Sequence, residues 1–216
     1  CRGAVVVWRG CIARRNTNLE LGREKNQVKQ LMILILAGCF SSKGLPDVAN
    51  EDWERDGQLV IDDFNQDTIG RWQFVSDQVM GGVSTGDLSF ELVDGNVIAH
   101  MTGNVSTENN GGFIQFRRAI SLPDSVKGLK LRVRGNNQRY FVHIRTGGTV
   151  LPWQYYSLEF SASENWEEIL LPLKDFSRSS RWLNRVLEPA MVRSLGIVAY
   201  GRDHQADIQV STVEGY

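Results

Sequence analysis

From residue 59 onward, apolar and polar residues of this chain alternate with a period of two, in short runs broken by Gly, Pro, Asn or Asp. The clearest run is Leu129-Lys130-Leu131-Arg132-Val133-Arg134. Successive side chains of a strand point to opposite faces, so the three apolar residues line one face and the three cations the other. Similar runs lie at 59–61, 71–75, 88–92, 97–101, 113–117, 140–145, 155–160, 167–171, 195–200 and 206–213, giving about ten or eleven strands. Asp94-Gly95 separates two of them, which is the signal of a two-residue hairpin. The helical candidate is short, residues 188–192, with Pro189 suited to a first turn. Strands do not alternate with helices, which excludes a doubly wound or (β/α)8 architecture, and no internal repeat supports a propeller. The expected fold class is all-β, an antiparallel β-sandwich or barrel.

Two paired-glycine stretches punctuate these strands: Asp77-Gln78-Val79-Met80-Gly81-Gly82-Val83-Ser84, and Asn109-Asn110-Gly111-Gly112-Phe113. Glycine reaches backbone angles closed to other residues, so both read as close backbone crossings. Neither is a phosphate loop, because the Walker lysine and the strand-to-helix setting are missing. The first is expected to hold the fold together, with Val79 and Val83 or Met80 anchoring it to the core. Gly82-Val83-Ser84-Thr85-Gly86 also fits the G-x-S-x-G pattern of a nucleophile elbow, but that device needs a helix after the serine and the run 88–92 reads as a strand.

Charge and cysteines divide the chain. Residues 1–39 carry seven Lys/Arg against Glu20 and Glu24, a net of +5, and hold all three cysteines; the remainder has a net charge of −6. An acidic body argues against nucleic acid as a partner. It also has no disulfide framework and no Cys-based metal site. Residues 29–39 read Lys-Gln-Leu-Met-Ile-Leu-Ile-Leu-Ala-Gly-Cys, a charge, a short apolar run and Leu36-Ala37-Gly38-Cys39. This looks like a bacterial lipoprotein signal with Cys39 as the acylated residue, the apolar run being too short to span a bilayer. The expected organisation is a mis-called start plus signal over 1–39, a tether over 40–57 and one sandwich domain over 58–216. The expected location is the cell envelope, with membrane contact only through the lipid; a cytoplasmic protein, or a mitochondrial one with residues 1–30 as a transit peptide, are the alternatives.

No cofactor or metal motif stands out. The histidines His100, His143 and His204 have no ligand spacing, and Asp203-His204 with Asp207 reads as a solvated loop sooner than a metal site. One constellation points to binding. By alternation Gln115 and Arg117, Lys130, Arg132 and Arg134, and His143 and Arg145 each oppose core residues, with Trp153 and Tyr155 close in sequence. Gathered on one sheet, they would form a basic face with aromatic borders able to take a protein partner, an anionic group or a carbohydrate. The competing reading is a solvated face paired with acidic neighbours. A binding role predicts that replacing Arg132 and Arg134 weakens the interaction.

Five stretches follow one another in a recognisable order: residues 77–84; Gly103-Asn104-Val105-Ser106 with 109–113; residues 131–135 with Tyr140; Trp166; and Leu171-Pro172-Leu173 with Phe176. Over residues 61–213 the chain resembles the complex I intermediate-associated protein 30 family, linked to NADH:ubiquinone oxidoreductase assembly. The resemblance implies a galactose-binding-like jelly roll and a chaperone-like, non-catalytic role toward a protein partner such as a membrane-complex subunit. It brings no catalytic residues and no cofactor. Its structural positions here are Asp77, Met80, Gly81, Gly82, Ser84, Asn109, Asn110, Gly111, Gly112, Trp166 and Pro172. The front end departs from the mitochondrial pattern by looking like a lipoprotein signal. The functional expectation is a non-catalytic binding or assembly protein; the alternatives are a carbohydrate-binding module and, more remotely, a serine hydrolase at Ser84.

Overall fold

The computed structural model describes residues 54–55 and 58–216. The signal segment, Cys39 and most of the tether lie outside the described residues. Glu54–Arg55, expected as the end of the tether, instead pairs as β1 with β2 (Gln58–Asp62). Eleven further strands follow: β3 (Gln73–Ser76), β4 (Thr85–Val93), β5 (Asn96–Val105), β6 (Phe113–Ala119), β7 (Gly128–Gly135), β8 (Gln138–Thr146), β9 (Tyr156–Ala162), β10 (Glu167–Pro172), β11 (Ser177–Arg178), β12 (Val192–Tyr200) and β13 (His204–Gly215). The segment expected as a helix at 188–192 is only a single 3-10 turn, Pro189–Met191, with Pro189 opening it. Among the described residues no helix is long and apolar enough to cross a membrane.

The strands form two antiparallel sheets. Sheet A runs β1-β2-β13-β5-β4, with β7 on the other side of β13 and β10 beyond β7; sheet B runs β11-β9-β8-β12-β6-β3. The twelve-residue β13 pairs with β5 through its first half, with β2 through its end, and with β7 along its opposite edge. Asp94 (φ 52°) and Gly95 (φ 82°) are both left-handed, the geometry that the β4–β5 two-residue hairpin needs.

Alternation decides which side chains enter the space between the sheets. Leu129, Leu131 and Val133 of β7 face Tyr140, Val142 and Ile144 of β8 and Leu195 and Ile197 of β12 across it, all fully buried. Each aliphatic or aromatic side chain of this kind contributes roughly 1.5–3 kcal/mol of burial. Asp62 closes one end of this core. Its Oδ1 accepts the Phe64 N–H at 2.7 Å and the Thr68 hydroxyl at 2.7 Å, while Oδ2 accepts the Trp72 indole N–H at 2.8 Å and pairs with the buried Arg118 guanidinium. A buried carboxylate survives because every lone pair has a donor.

Candidate binding face

The two paired-glycine stretches meet at one carboxylate. Asp77 opens a single 3-10 turn, Asp77–Met80, that ends at Gly81 with φ +88°. Its side chain is buried, and Oδ1 accepts the Ser84 N–H at 2.9 Å. Oδ2 accepts the Ser84 hydroxyl at 2.5 Å, the Gly112 N–H at 2.5 Å and the Phe113 N–H at 3.3 Å. A Cβ on Gly82 would lie 2.3 Å from Asp77 Cγ, and one on Gly111 would lie 2.4 Å from Oδ2. Both positions are glycine because the carboxylate fills that space. Burial pushes the Asp77 carboxyl up, but the bonds from Gly112, Ser84 and Phe113 outweigh it and hold it below its usual value.

This corrects the expected anchor. Val79 is 73% and Met80 60% exposed, and Val83 is exposed too; the charged residue holds the loop, not the apolar ones. Ser84 is fully buried, its Oγ accepts the Ser106 N–H at 3.0 Å, and β4 rather than a helix follows it. A hydroxyl shared between Asp77 and Ser106, with no imidazole in its bonds, does not form a nucleophile elbow. The other stretch uses Asn109 (φ 55°) and Asn110 (φ 59°), side chains that tolerate the left-handed region.

The basic constellation is divided between the two sheets. Lys130, Arg132 and Arg134 lie on β7 in sheet A, whereas Gln115 and Arg117 (β6) and His143 and Arg145 (β8) lie in sheet B. One face for all seven is therefore excluded, because the period of two fixes a strand's faces but not its sheet. The sheet A group is matched internally. Lys130 Nζ lies 2.6 Å from Glu214 and 3.9 Å from Glu168, and the Arg132 and Arg134 guanidiniums stack over the Trp166 ring at 5.8 and 5.1 Å. Arg134 also donates to Gln209 at 2.5 Å. Pro172 ends β10 opposite Gly128, where its missing N–H costs little.

Sheet B brings the remaining residues together. Register sets Arg117 opposite Gly196 of β12, and Gly196 opposite His143. Gly196 leaves room for them: a Cβ there would meet Gln115 Oε1 at 3.1 Å. The His143 ring stacks on Tyr155 at 4.0 Å and 15°, and Tyr200 meets both His143 and Phe141 edge-on at 5.8 and 5.9 Å. Burial pushes the His143 imidazole down to about 4, so it is neutral near pH 7, and its buried Nε2 has no hydrogen-bond partner. Burial and a bond to the Tyr200 hydroxyl push the Tyr155 phenol up. The face therefore offers a neutral aromatic cluster with Gln115 and Arg117 beside it.

At one end of this face lies a cleft of about 400 Å³ whose described lining includes Arg117, Arg118, Arg145 and Arg193, and no carboxylate lines it among the described residues. Arg145 is turned to structural use, donating to the Thr149 and Leu151 carbonyls at 3.4 and 3.2 Å. Trp153 stands out in the loop after β8, its carbonyl accepting the Ser179 hydroxyl at 2.8 Å. Sequence reasoning missed Phe141 and Tyr200, although their outward parity with His143 could have shown them, and the glycine inside β12 was a signal of close approach. The residues weighed as a metal site part ways. His100 bridges Glu91 and Asp207 at 2.8 Å each, Asp203 accepts from Thr107 at 2.7 Å, and His204 meets the Arg202 carbonyl at 2.8 Å. Among the described residues no group of three His, Cys, Asp or Glu could hold a metal.

Comparison with known proteins agrees with this architecture. A family 11 carbohydrate-binding module from Clostridium thermocellum, in complex with a β-1,3-1,4-mixed-linked tetrasaccharide, superposes with a TM-score of 0.58 at 11% identity, covering 72% of this chain and 93% of that one. The family 11 module of the cellulosomal cellulase Lic26A-Cel5E from the same organism gives 0.59 at 12% identity, covering 75% and 95%. At these identities the likeness is one of fold. No curated protein matches the chain. The family model that matches, over residues 62–211, is that of complex I intermediate-associated protein 30. The chain belongs to the complex I intermediate-associated protein 30 family.

Proposed function

We propose that this protein is a non-catalytic binding protein with a chaperone-like part in assembly, holding a partner protein on the outer face of sheet B. One observation carries the reading: His143, Tyr155, Tyr200 and Phe141 form an aromatic cluster there, with Arg117 and Gln115 beside it. Aromatic side chains and arginine are the groups that dominate protein interfaces, where they bring large area at low entropic cost. The family, described as intermediate-associated for complex I, supports an assembly role, and the buried Ser84 supports a non-catalytic one. We place the protein in the cell envelope, anchored through an acylated Cys39; labelled palmitate failing to enter the protein, or entering a Cys39→Ser variant, removes that part.

A second reading is favoured by the exposed Trp153 and Tyr200, rings on which a sugar could stack, on a fold shared with carbohydrate-binding modules. The two separate in one experiment. Membrane-complex subunits co-purifying with the wild type and lost with Tyr200→Ala, with a blank glycan array, support the assembly reading. Array binding lost with Tyr200→Ala, and no co-purified subunit, supports the carbohydrate one.

A further inference from the structure

Strands β8, β9 and β12 of sheet B open at one end into two loops, residues 147–155 and 179–191. The loops are tied together: the Gly147 N–H donates to the Met191 carbonyl at 3.0 Å, the Ser179 N–H to the Tyr155 carbonyl at 2.8 Å, and the Tyr156 hydroxyl to the Asn184 carbonyl at 2.9 Å. On this tip stand Val150 (82% exposed), Trp182 (79%), Trp153 (63%) and Val186 (63%). Soluble surfaces seldom gather apolar groups in this way without a use.

The charge around them has one sign. Arg145, Arg178, Arg181, Arg185 and Arg193 lie in or beside the loops, against the single carboxylate of Glu188, in a body whose net charge is −6. Among the described residues none of these arginines forms an ion pair. Arg145, Arg178 and Arg193 spend donors on loop carbonyls, which fixes the loops without cancelling the charge. The Arg181 guanidinium sits 5.7 Å over the Trp182 ring, uniting a cation and an apolar plane in one protrusion.

We propose that this tip docks on an anionic lipid bilayer, a surface distinct from the face that holds the partner. Val150, Trp182, Trp153 and Val186 enter the boundary between headgroups and acyl chains, where indoles reside preferentially. The surrounding arginines, Arg145 and Arg193 at the mouth of the neighbouring cleft among them, meet lipid phosphates. A collar of cations around a group of exposed apolar side chains matches a plane of anionic headgroups over acyl chains.

The test is co-sedimentation of the full chain, made as Cys39→Ser so that no acyl group contributes, with vesicles of phosphatidylcholine containing about one-third phosphatidylglycerol. Binding is expected to the anionic vesicles, to weaken steeply with salt and to be at least tenfold weaker on pure phosphatidylcholine. Val150→Ser with Trp182→Ser, and separately Arg181→Glu with Arg185→Glu, should each lower vesicle affinity at least about tenfold. All four side chains are exposed or partly exposed, so folding is checked by an unchanged unfolding midpoint. Tyr200→Ala should leave vesicle binding intact while removing the partner, which separates failure of this proposal from failure of the assembly reading. No binding to anionic vesicles, equal binding to neutral ones, or binding insensitive to both double variants overturns the proposal. Capture of a soluble glycan or of poly-glutamate by the tip, with no vesicle binding, overturns it as well.

Discussion

Asp77→Asn changes almost no volume, so its effect isolates what the carboxylate does. Four donors converge on Asp77, three of them on Oδ2. An amide retains one acceptor oxygen. Its better orientation keeps that oxygen toward Gly112, Phe113 and the Ser84 hydroxyl, and turns the NH2 against the Ser84 N–H. A buried donor then faces another donor, and the remaining bonds lose their charge. An unsatisfied buried donor costs about 1–3 kcal/mol, and bonds to a charged acceptor are worth about twice neutral ones. The sum is about 2–4 kcal/mol, a large share of the roughly 5–15 kcal/mol by which a domain is stable. For a domain of this size that lowers Tm by on the order of 10 °C. Urea unfolding followed by tryptophan fluorescence measures it directly. Ser84→Ala alone and the double variant complete a cycle, and because the two groups share a bond their effects should not add. The carboxyl is held below its ordinary value, so its stabilisation is present above the unfolded pKa and lost as pH falls through the folded one; the Asn variant should lack that part of the acid transition. A loss under about 1 kcal/mol, with simple additivity, would refute the idea that this carboxylate joins the two glycine stretches.

Other outcomes follow from the same geometry. Gly82→Val should destabilise the fold, and Gly82→Ala should cost more than Gly81→Ala, about 3 against about 1 kcal/mol in urea unfolding, because Gly81 has open space and only an unfavourable φ. Burial pushes the His100 imidazole down, but its bonds to Glu91 and Asp207 outweigh this and raise it above its ordinary value. Stability from His100 is therefore full below its unfolded pKa and lost as pH rises through the raised folded one, so unfolding midpoints should drop as pH rises above the ordinary histidine range, and His100→Gln should flatten the drop. Tyr200→Ala with Arg117→Glu should cut partner capture at least about tenfold, while Arg132→Ala with Arg134→Ala leaves it unchanged, the reverse of what the sequence pattern alone implies.

What the sequence revealed and what it hid have a common physical origin. Alternation was legible because a strand's faces are set locally: Leu129, Leu131 and Val133 point inward wherever β7 lies. Which sheet holds β7 depends on pairing with Gln209 and its neighbours, some 75 positions away, and no local pattern carries that. The glycines announced close approach, but the object approached, Asp77, is charged and so looked like surface. The anchoring valines were expected inside by hydropathy alone, and Asp77 holds the loop so well that they stay outside. Tyr200 was visible only as the end of an apolar run, although its parity put it with the outward-facing rings of Phe141 and His143. Trp182 and Val150 lie in loops, where no period exists to assign a face.

β13 also sets an order of events. It comes after β2, β5 and β7 in the chain, yet it is the strand between them. During synthesis those three emerge with the edges that β13 will cover still open, and exposed edges of this kind invite pairing with the wrong chain. Sheet B can start from the β8–β9 neighbours, but sheet A closes only when its middle arrives. The chain thus has a folding step in which waiting is built into the topology, and a ribosome stalled just before residue 204 should hold a chain that is easily digested by protease.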